Sequence, residues 1–313
     1  MVCELRGSLN SAGRIVDWSH ESYGDTFIMG RPAAGRSGSP ASKLLSSAFR
    51  AVALEKTPPQ PALSPHAGIH RNLAPLYDLP NPRLVKHLVR DLPLRTSALR
   101  TLGAFANVTA IESFMDQLAE AASIPPLEFR LKHLNDARAR HVIRLLADQM
   151  EPDLNGSESE SGQGIAFARY KNSAAYCAVG VQLVVTEEAS VRLLRAWIVA
   201  DAGEVVDPGG LTAQLEGGFI QAASWSLYES VSYDADGITS RDWDSYPILR
   251  FDNVPEICTV LVDRPGESFL GAGEAAGGPT GGAIANAIYR ASGLRLAQMP
   301  FDSERIRAAA LSG

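Results

Sequence analysis

An α+β fold is predicted for this chain on three observations. Strand-like and helix-like segments fall in separate runs, the composition suits a packed core, and no internal repeat imposes a regular array. The 313 residues are 45% hydrophobic and 20% charged. CELRGSLNSAGRIVDWSHES alternates on both sides of Asn10-Ser11-Ala12-Gly13, which predicts a β-hairpin. Residues 30–66 are rich in Pro, Gly, Ser and Ala and read as an irregular excursion around one helical stretch, KLLSSAFRAVAL. From Asn107 the period becomes helical, with Ile111, Phe114, Met115, Leu118 and Ala122 on one stripe. Pro125-Pro126 ends that helix and opens a second, LEFRLKHL, because proline suits a first turn and disrupts an interior. A third helix is expected from about Ala139 to Met150.

Residues 151–163, EPDLNGSESESGQ, read as an acidic linker between a first unit, 1–150, and a second, 164–313. In the second unit, strands are expected over 178–186, 191–201 and 256–263. LTAQLEGGFIQAASWSLYESV is helical between them. A glycine-rich stretch from Gly266 to Gly282 precedes a helix from Ala283 to Ser292.

Charge narrows the function classes. The net charge is −6 and Lys and Arg are scattered among acids, which excludes nucleic acid as a partner, since phosphate binding needs a basic surplus. No run of 18 or more apolar residues suggests a membrane span. The N-terminal MVCELRGSLN shows no charged n-region or apolar h-region, so the cytoplasm is the expected compartment, with periplasmic association the alternative. Three cysteines without CxxC spacing exclude an iron–sulfur cluster or zinc finger held by this chain, and six histidines form no HExxH. No protein metal ligand is expected, so any metal must arrive on another molecule.

Three segments carry candidate chemistry. RPGESFLGAGEAAGGPTGGAIANAIYRASG is dense in glycine, which permits φ > 0 and close approach of the backbone to a ligand. Within it stands one acid, Glu274, whose apolar surroundings are expected to raise its pKa toward that of a general base; a helix-capping acid is the plainer alternative. Gly271 to Ala276 also fits a loose dinucleotide fingerprint. Against that, Arg264–Leu270 separate it from its strand, and no second Rossmann strand follows. In DAGEVVDPGGLTAQLEGGFIQ, a predicted turn leads to Gln214, able to donate and accept at once, or simply to cap a helix. In LPLRTSALRTLGAFANVTAIE, Arg100 beside Gly103 and Ala104 suits an anionic group or a surface ion pair.

In this order the three segments resemble the large, molybdopterin-binding subunit of xanthine dehydrogenase/aldehyde oxidase-type molybdenum hydroxylases. The matching stretches are Arg100 to Asp116, Gln214 to Gly218 and Gly271 to Glu274. RYKNSAAYCAV and SRDWDSYPILRFDNVPE are most like the nicotinate dehydrogenase and isoquinoline 1-oxidoreductase branch. The resemblance implies a molybdopterin-binding α+β fold, incomplete here because the family's first half has no counterpart. It implies a molybdenum–pyranopterin cofactor, as molybdopterin or its cytosine dinucleotide, whose dithiolene carries the metal. Glu274 would be the base; Arg100, Gly103, Ala104, Gln214, Gly271, Ala272 and Gly273 would contact the cofactor; Arg71 in HRNLAPLYDLPN would orient substrate. The implied reaction is hydroxylation of an N-heteroaromatic or aldehyde with water as oxygen source. The implied partners are a chain supplying the first half, a small subunit with [2Fe-2S] clusters, and a cytochrome c or FAD subunit. A non-catalytic half-subunit or fragment serving as an assembly module is the alternative.

Overall fold

The predicted hairpin forms around Asn10, whose Oδ1 accepts hydrogen bonds from the amides of Ala12 and Arg14, while Gly13 takes φ +66° to close the turn. It joins β1 (Val2–Leu9) to β2 (Ile15–Gly24), and β3 (Pro82–Leu88) adds in parallel to β2. The computed structural model describes residues 1–27, 51, 60–90, 92–94, 96–150 and 161–312. The helical stretch expected within KLLSSAFRAVAL and most of the acidic linker lie outside these residues.

The second sheet runs in the order β4 (Ser161–Arg169), β5 (Tyr176–Val185), β6 (Val191–Asp201) and β9 (Glu256–Val262). Its first three strands are antiparallel and β9 joins in parallel. A short exposed hairpin, β7 (Tyr233–Asp234) and β8 (Gly237–Ile238), precedes β9 in the chain. Helices cover both faces. On one face Phe167, Tyr176, Ala178, Trp197 and Val199 pack against α1 (Ala104–Ala121), α2 (Pro126–Lys132) and α3 (Ala137–Met150). On the other, Ala166, Cys177, Val179, Ala196 and Ile198 meet α4 (Pro208–Leu227) and α5 (Gly277–Ser292). Successive strand residues therefore feed opposite cores, and β5 is apolar along most of its length because both of its faces are covered. A last helix, α6 (Ser303–Ser312), follows. Among the described residues no helix is long and apolar enough to cross a membrane.

Several elements differ from expectation. Residues 161–163, assigned to the linker, begin β4. The Asp-Pro-Gly-Gly turn is instead the start of α4: Asp207 accepts from the Gly210 amide at 3.0 Å and Pro208 occupies the first turn. The glycine-rich stretch becomes helical at Gly277. β3, β4 and α6 carry too little periodicity to be picked out. In β4 the reason is packing: a Cβ on Gly162 would lie 2.1 Å from the Ala287 carbonyl oxygen, and one on Gly164 would lie 2.2 Å from that of Ala283. Bare glycines at alternate positions let α5 rest on the strand, at the expense of a visible apolar pattern.

The helices are locked by a buried ionic cluster. Arg130 and Glu112 are 0% and 1% exposed, so neither charge is offset by solvent. The Arg130 Nε donates to Glu112 Oε2 at 2.8 Å and its Nη1 to Asp116 Oδ1 at 2.6 Å. Glu112 also accepts from the Tyr77 hydroxyl at 2.8 Å and the Phe167 amide at 3.0 Å. Burial pushes the Glu112 carboxyl above its usual range against the pull of Arg130. Replacing Arg130 with Met is expected to destabilise the chain by about 3–5 kcal/mol by stranding two buried carboxyls. Urea unfolding measures this, and the accompanying replacements Glu112→Leu and Asp116→Leu should restore part of the loss. By the same method Gly164→Ala should cost on the order of 1–3 kcal/mol by forcing α5 off β4.

Candidate functional site

The sequence motifs meet at one backbone atom. The carbonyl oxygen of Gly273 accepts from Arg100 Nε at 3.0 Å, Arg100 Nη2 at 2.7 Å and Gln214 Nε2 at 2.7 Å. Arg100 Nη2 also donates to the Gln214 carbonyl at 3.1 Å, and Nη1 to Gln221 Oε1 at 3.2 Å. Gln214, Gly217, Gly218 and Gln221 share one face of α4 by their spacing. Gly218 leaves room for the guanidinium, since a Cβ there would stand 3.3 Å from Arg100 Nη2. Gln221 was missed by motif reading, although its position seven residues after Gln214 is a usable signal. Glu216, the acid within that motif, faces elsewhere and accepts from Thr259 at 3.0 Å.

Arg100 is delivered by a constrained turn. Thr101 and Leu102 take φ +75° and +52°, unusual for a β-branched and a bulky residue, just before α1 begins. The amides of Gly103 and Ala104 are engaged with the carbonyls of Gly68 and Thr101 at 3.1 Å each. Gly103 itself is a close-packing position, since a Cβ would fall 2.3 Å from the Ile69 carbonyl oxygen.

The segment before Glu274 is held from beneath. Leu270 donates to the Ala202 carbonyl at 2.6 Å, and the Gly271 carbonyl accepts from Ala175 at 3.1 Å. Asp201, fully buried, binds Arg138 and Arg264; burial opposes its ionisation, yet these partners hold its carboxyl below the usual range. Gly271 and Gly273 face open space, and neither is among the residues with φ > 0. The expected use of glycine is thus only partly met. Gly277, Gly278, Gly281 and Gly282 lie in α5 and admit side chains of the 101–112 region, Thr101, Val108, Thr109 and Glu112.

Glu274 does not sit alone among apolar atoms, as the sequence suggested. Its side chain is 24% exposed, and Oε2 accepts from Arg71 Nη1 at 2.6 Å and from the Tyr170 hydroxyl. Arg71 therefore reaches Glu274 itself, across 203 positions of sequence. Tyr170 lies in the RYKN stretch, and motif reasoning gave it no role. Burial, then the bond to Glu274, raise its hydroxyl well above the ordinary range, so it remains a donor at neutral pH. A small cavity of about 10 Å³ is lined by residues that include Asn72, Tyr77, Glu112, Phe167 and Asn172, and Glu274 is not among its walls.

Arg71 is held in turn by α1. Asn107, fully buried, donates to the carbonyls of Ile69 at 2.8 Å and Arg71 at 2.9 Å, and accepts from Ser22 at 2.7 Å. Beside it His20 is buried, with Nδ1 3.2 Å from the Leu73 carbonyl.

Solved structures share the architecture. Quinoline 2-oxidoreductase from Pseudomonas putida 86 aligns with a TM-score of 0.76 at 12% identity, over 99% of this chain and 62% of that one. Aldehyde oxidoreductase from Desulfovibrio gigas aligns at 0.68 and 14%, over 98% and 48%. The fold is that of molybdopterin-binding domains. The family model described as "Molybdopterin cofactor-binding domain" matches residues 96–255, and the chain belongs to that family. The match takes in Arg100 and Gln214 and ends before Glu274. A nicotinate dehydrogenase subunit of Pseudomonas putida is 36% identical over 254 residues, 76% of this chain and 21% of that protein. The beta subunit of isoquinoline 1-oxidoreductase from Brevundimonas diminuta is 30% identical over 227 residues, 72% and 29%. The chain thus spans less than a third of these curated relatives.

The His20 environment makes a pH prediction. Burial lowers its pKa from 6.5 to about 4, so the ring is neutral when folded and takes up a proton on unfolding between those values. Stability is complete above about pH 6.5 and falls on acidification toward pH 4, by up to roughly 3 kcal/mol. Denaturant melts across that window should show the slope, and His20→Gln should flatten it.

Proposed function

We propose that this chain supplies the base-bearing side of a molybdenum hydroxylase site, acting in a larger assembly on an N-heteroaromatic or aldehyde substrate with water as oxygen source. The observation that carries this reading is the convergence of Arg100 and Gln214 on the Gly273 carbonyl, one residue before Glu274. The residues suit a pyranopterin cofactor. Gly271 and Gly273 offer backbone without side-chain obstruction, and Gln214 Nε2, which gives one N–H to the Gly273 oxygen, has a second to offer a cofactor oxygen. Arg100, Gln214 and the backbone of Gly271, Ala272 and Gly273 would hold the cofactor's edge, with Gly103 and Ala104 shaping the turn behind Arg100. When bound, the cofactor supplies the two-electron oxidation that places a water-derived oxygen on carbon.

The chain's own part is the proton. Glu274 stands at the end of the glycine rim, partly open, and accepts the proton released as oxygen attacks carbon. The rest of the site, the [2Fe-2S] clusters and a cytochrome c or FAD acceptor would come from partner chains. A second reading, a non-catalytic assembly module, takes the Glu274 carboxylate, paired with Arg71 at 2.6 Å, as one half of a structural ion pair. Glu274→Gln separates the two. In the molybdenum-loaded assembly the variant should lower hydroxylation by roughly 10²-fold or more with metal content unchanged. Unaltered turnover would overturn the role of Glu274.

A further inference from the structure

The two oxygens of Glu274 are treated differently. Oε2 receives both Arg71 Nη1 and the Tyr170 hydroxyl, whereas among the described residues no hydrogen bond reaches Oε1. Arg71 Nη1 lies 3.2 Å from the Tyr170 oxygen as well, so guanidinium, phenol and carboxylate form a closed triangle. The other edge of the guanidinium is occupied, since Nε donates to the His66 carbonyl at 3.0 Å.

The loops bearing these two groups are fastened to each other. Asn72 Nδ2 donates to the Arg169 carbonyl at 2.8 Å and to Asn172 Oδ1 at 3.0 Å. Asn72 Oδ1 accepts the Lys171 amide at 3.0 Å, and Asn172 Nδ2 donates to the Ala74 carbonyl at 2.7 Å. Asn72 and Asn172 take φ +56° and +52°, a left-handed conformation that asparagine tolerates, and Lys171 takes φ +54°, which a lysine keeps only where its surroundings enforce it. The charged and titratable groups around the carboxylate are Arg71, Tyr170, His66 beside Arg71, Arg100 on the neighbouring carbonyl, and Lys171, whose ammonium lies 5.0 Å from the Tyr170 ring centre.

We propose that Tyr170 and Arg71 are positioning residues that anchor Oε2 of Glu274, so that Oε1 is the oxygen presented to the reaction. The proposal rests on Glu274 being the base, and it assigns Arg71 to the base rather than to the substrate. An anchored carboxylate loses rotation about its terminal bond and meets the departing proton in one orientation. Each anchoring bond also polarises the carboxyl, so removing one must change the signal of its carbon.

The test uses the full chain with ¹³C in the glutamate side-chain carboxyls, the Glu274 signal being identified by its loss in Glu274→Gln. In Tyr170→Phe, at one fixed pH, the Glu274 carboxyl signal should leave its parent position, because the carboxylate loses one of its two anchoring bonds. In Tyr233→Phe, an exposed tyrosine, it should not move. Arg71→Lys keeps the charge but not the fork, should also shift the signal, and serves if Tyr170→Phe does not fold. A folded Tyr170→Phe or Arg71→Lys with the parent signal would overturn the proposal. This outcome is distinct from failure of the catalytic reading, which is read from turnover of Glu274→Gln in the loaded assembly. In that assembly, Tyr170→Phe should lower kcat and leave KM near its parent value, as expected when a base is misaligned and substrate binding is intact.

Discussion

Arg130 carries a charge that no water reaches, and the chain must answer it with its own atoms. It does so with two carboxylates from α1, the Pro126 carbonyl of its own helix, and the Glu112 and Ile165 carbonyls. The same two carbonyls, of Glu112 and Ile165, also accept from Asn286 of α5. One guanidinium and one carboxamide thus tie α1, α2, β4 and α5 into a fixed relation. Such a cluster contributes little net stability over an apolar substitute, because desolvation offsets most of the attraction. Its contribution is geometric: the hydrogen-bonding directions admit few other arrangements of these elements.

That arrangement matters because the candidate site is assembled from remote segments. Arg71 arrives on a loop fastened by Asn107 of α1, Arg100 on the turn into α1, Gln214 on α4, Tyr170 after β4, and Glu274 just before α5. No two of these neighbour each other in sequence. Small residues let the supports come together: Gly162 and Gly164 under α5, Gly277 to Gly282 against the 101–112 region, and Gly218 beneath Arg100. Ionic geometry sets the directions, and missing side chains set the separations.

Much of this was legible beforehand, for identifiable reasons. The hairpin at Asn10, the stripe of α1 and the apolar runs of β5 and β6 follow from periodicity and turn chemistry, which are local. The motif segments were recognisable by residue type and order, and the three are joined in space. The environment of Glu274 was not legible, because glycine and alanine beside it in sequence say nothing about Arg71 and Tyr170, which come from distant loops. β4 was hidden because its glycines serve a neighbouring helix, which erases the alternation that marks a strand. The Arg130 cluster was equally invisible, since Glu112 and Asp116 on a helix look like an ordinary solvated pair of acids.

The seating of α5 on Gly162 and Gly164 has a bearing on engineering. Glu274 stands just ahead of that helix, so the strand acts as a height gauge for its carboxylate. Even a single methyl group added to either glycine would lift the helix from below, and the acid would swing through an arc about it. The position of this carboxylate is therefore open to remote adjustment at two strand glycines that never touch it.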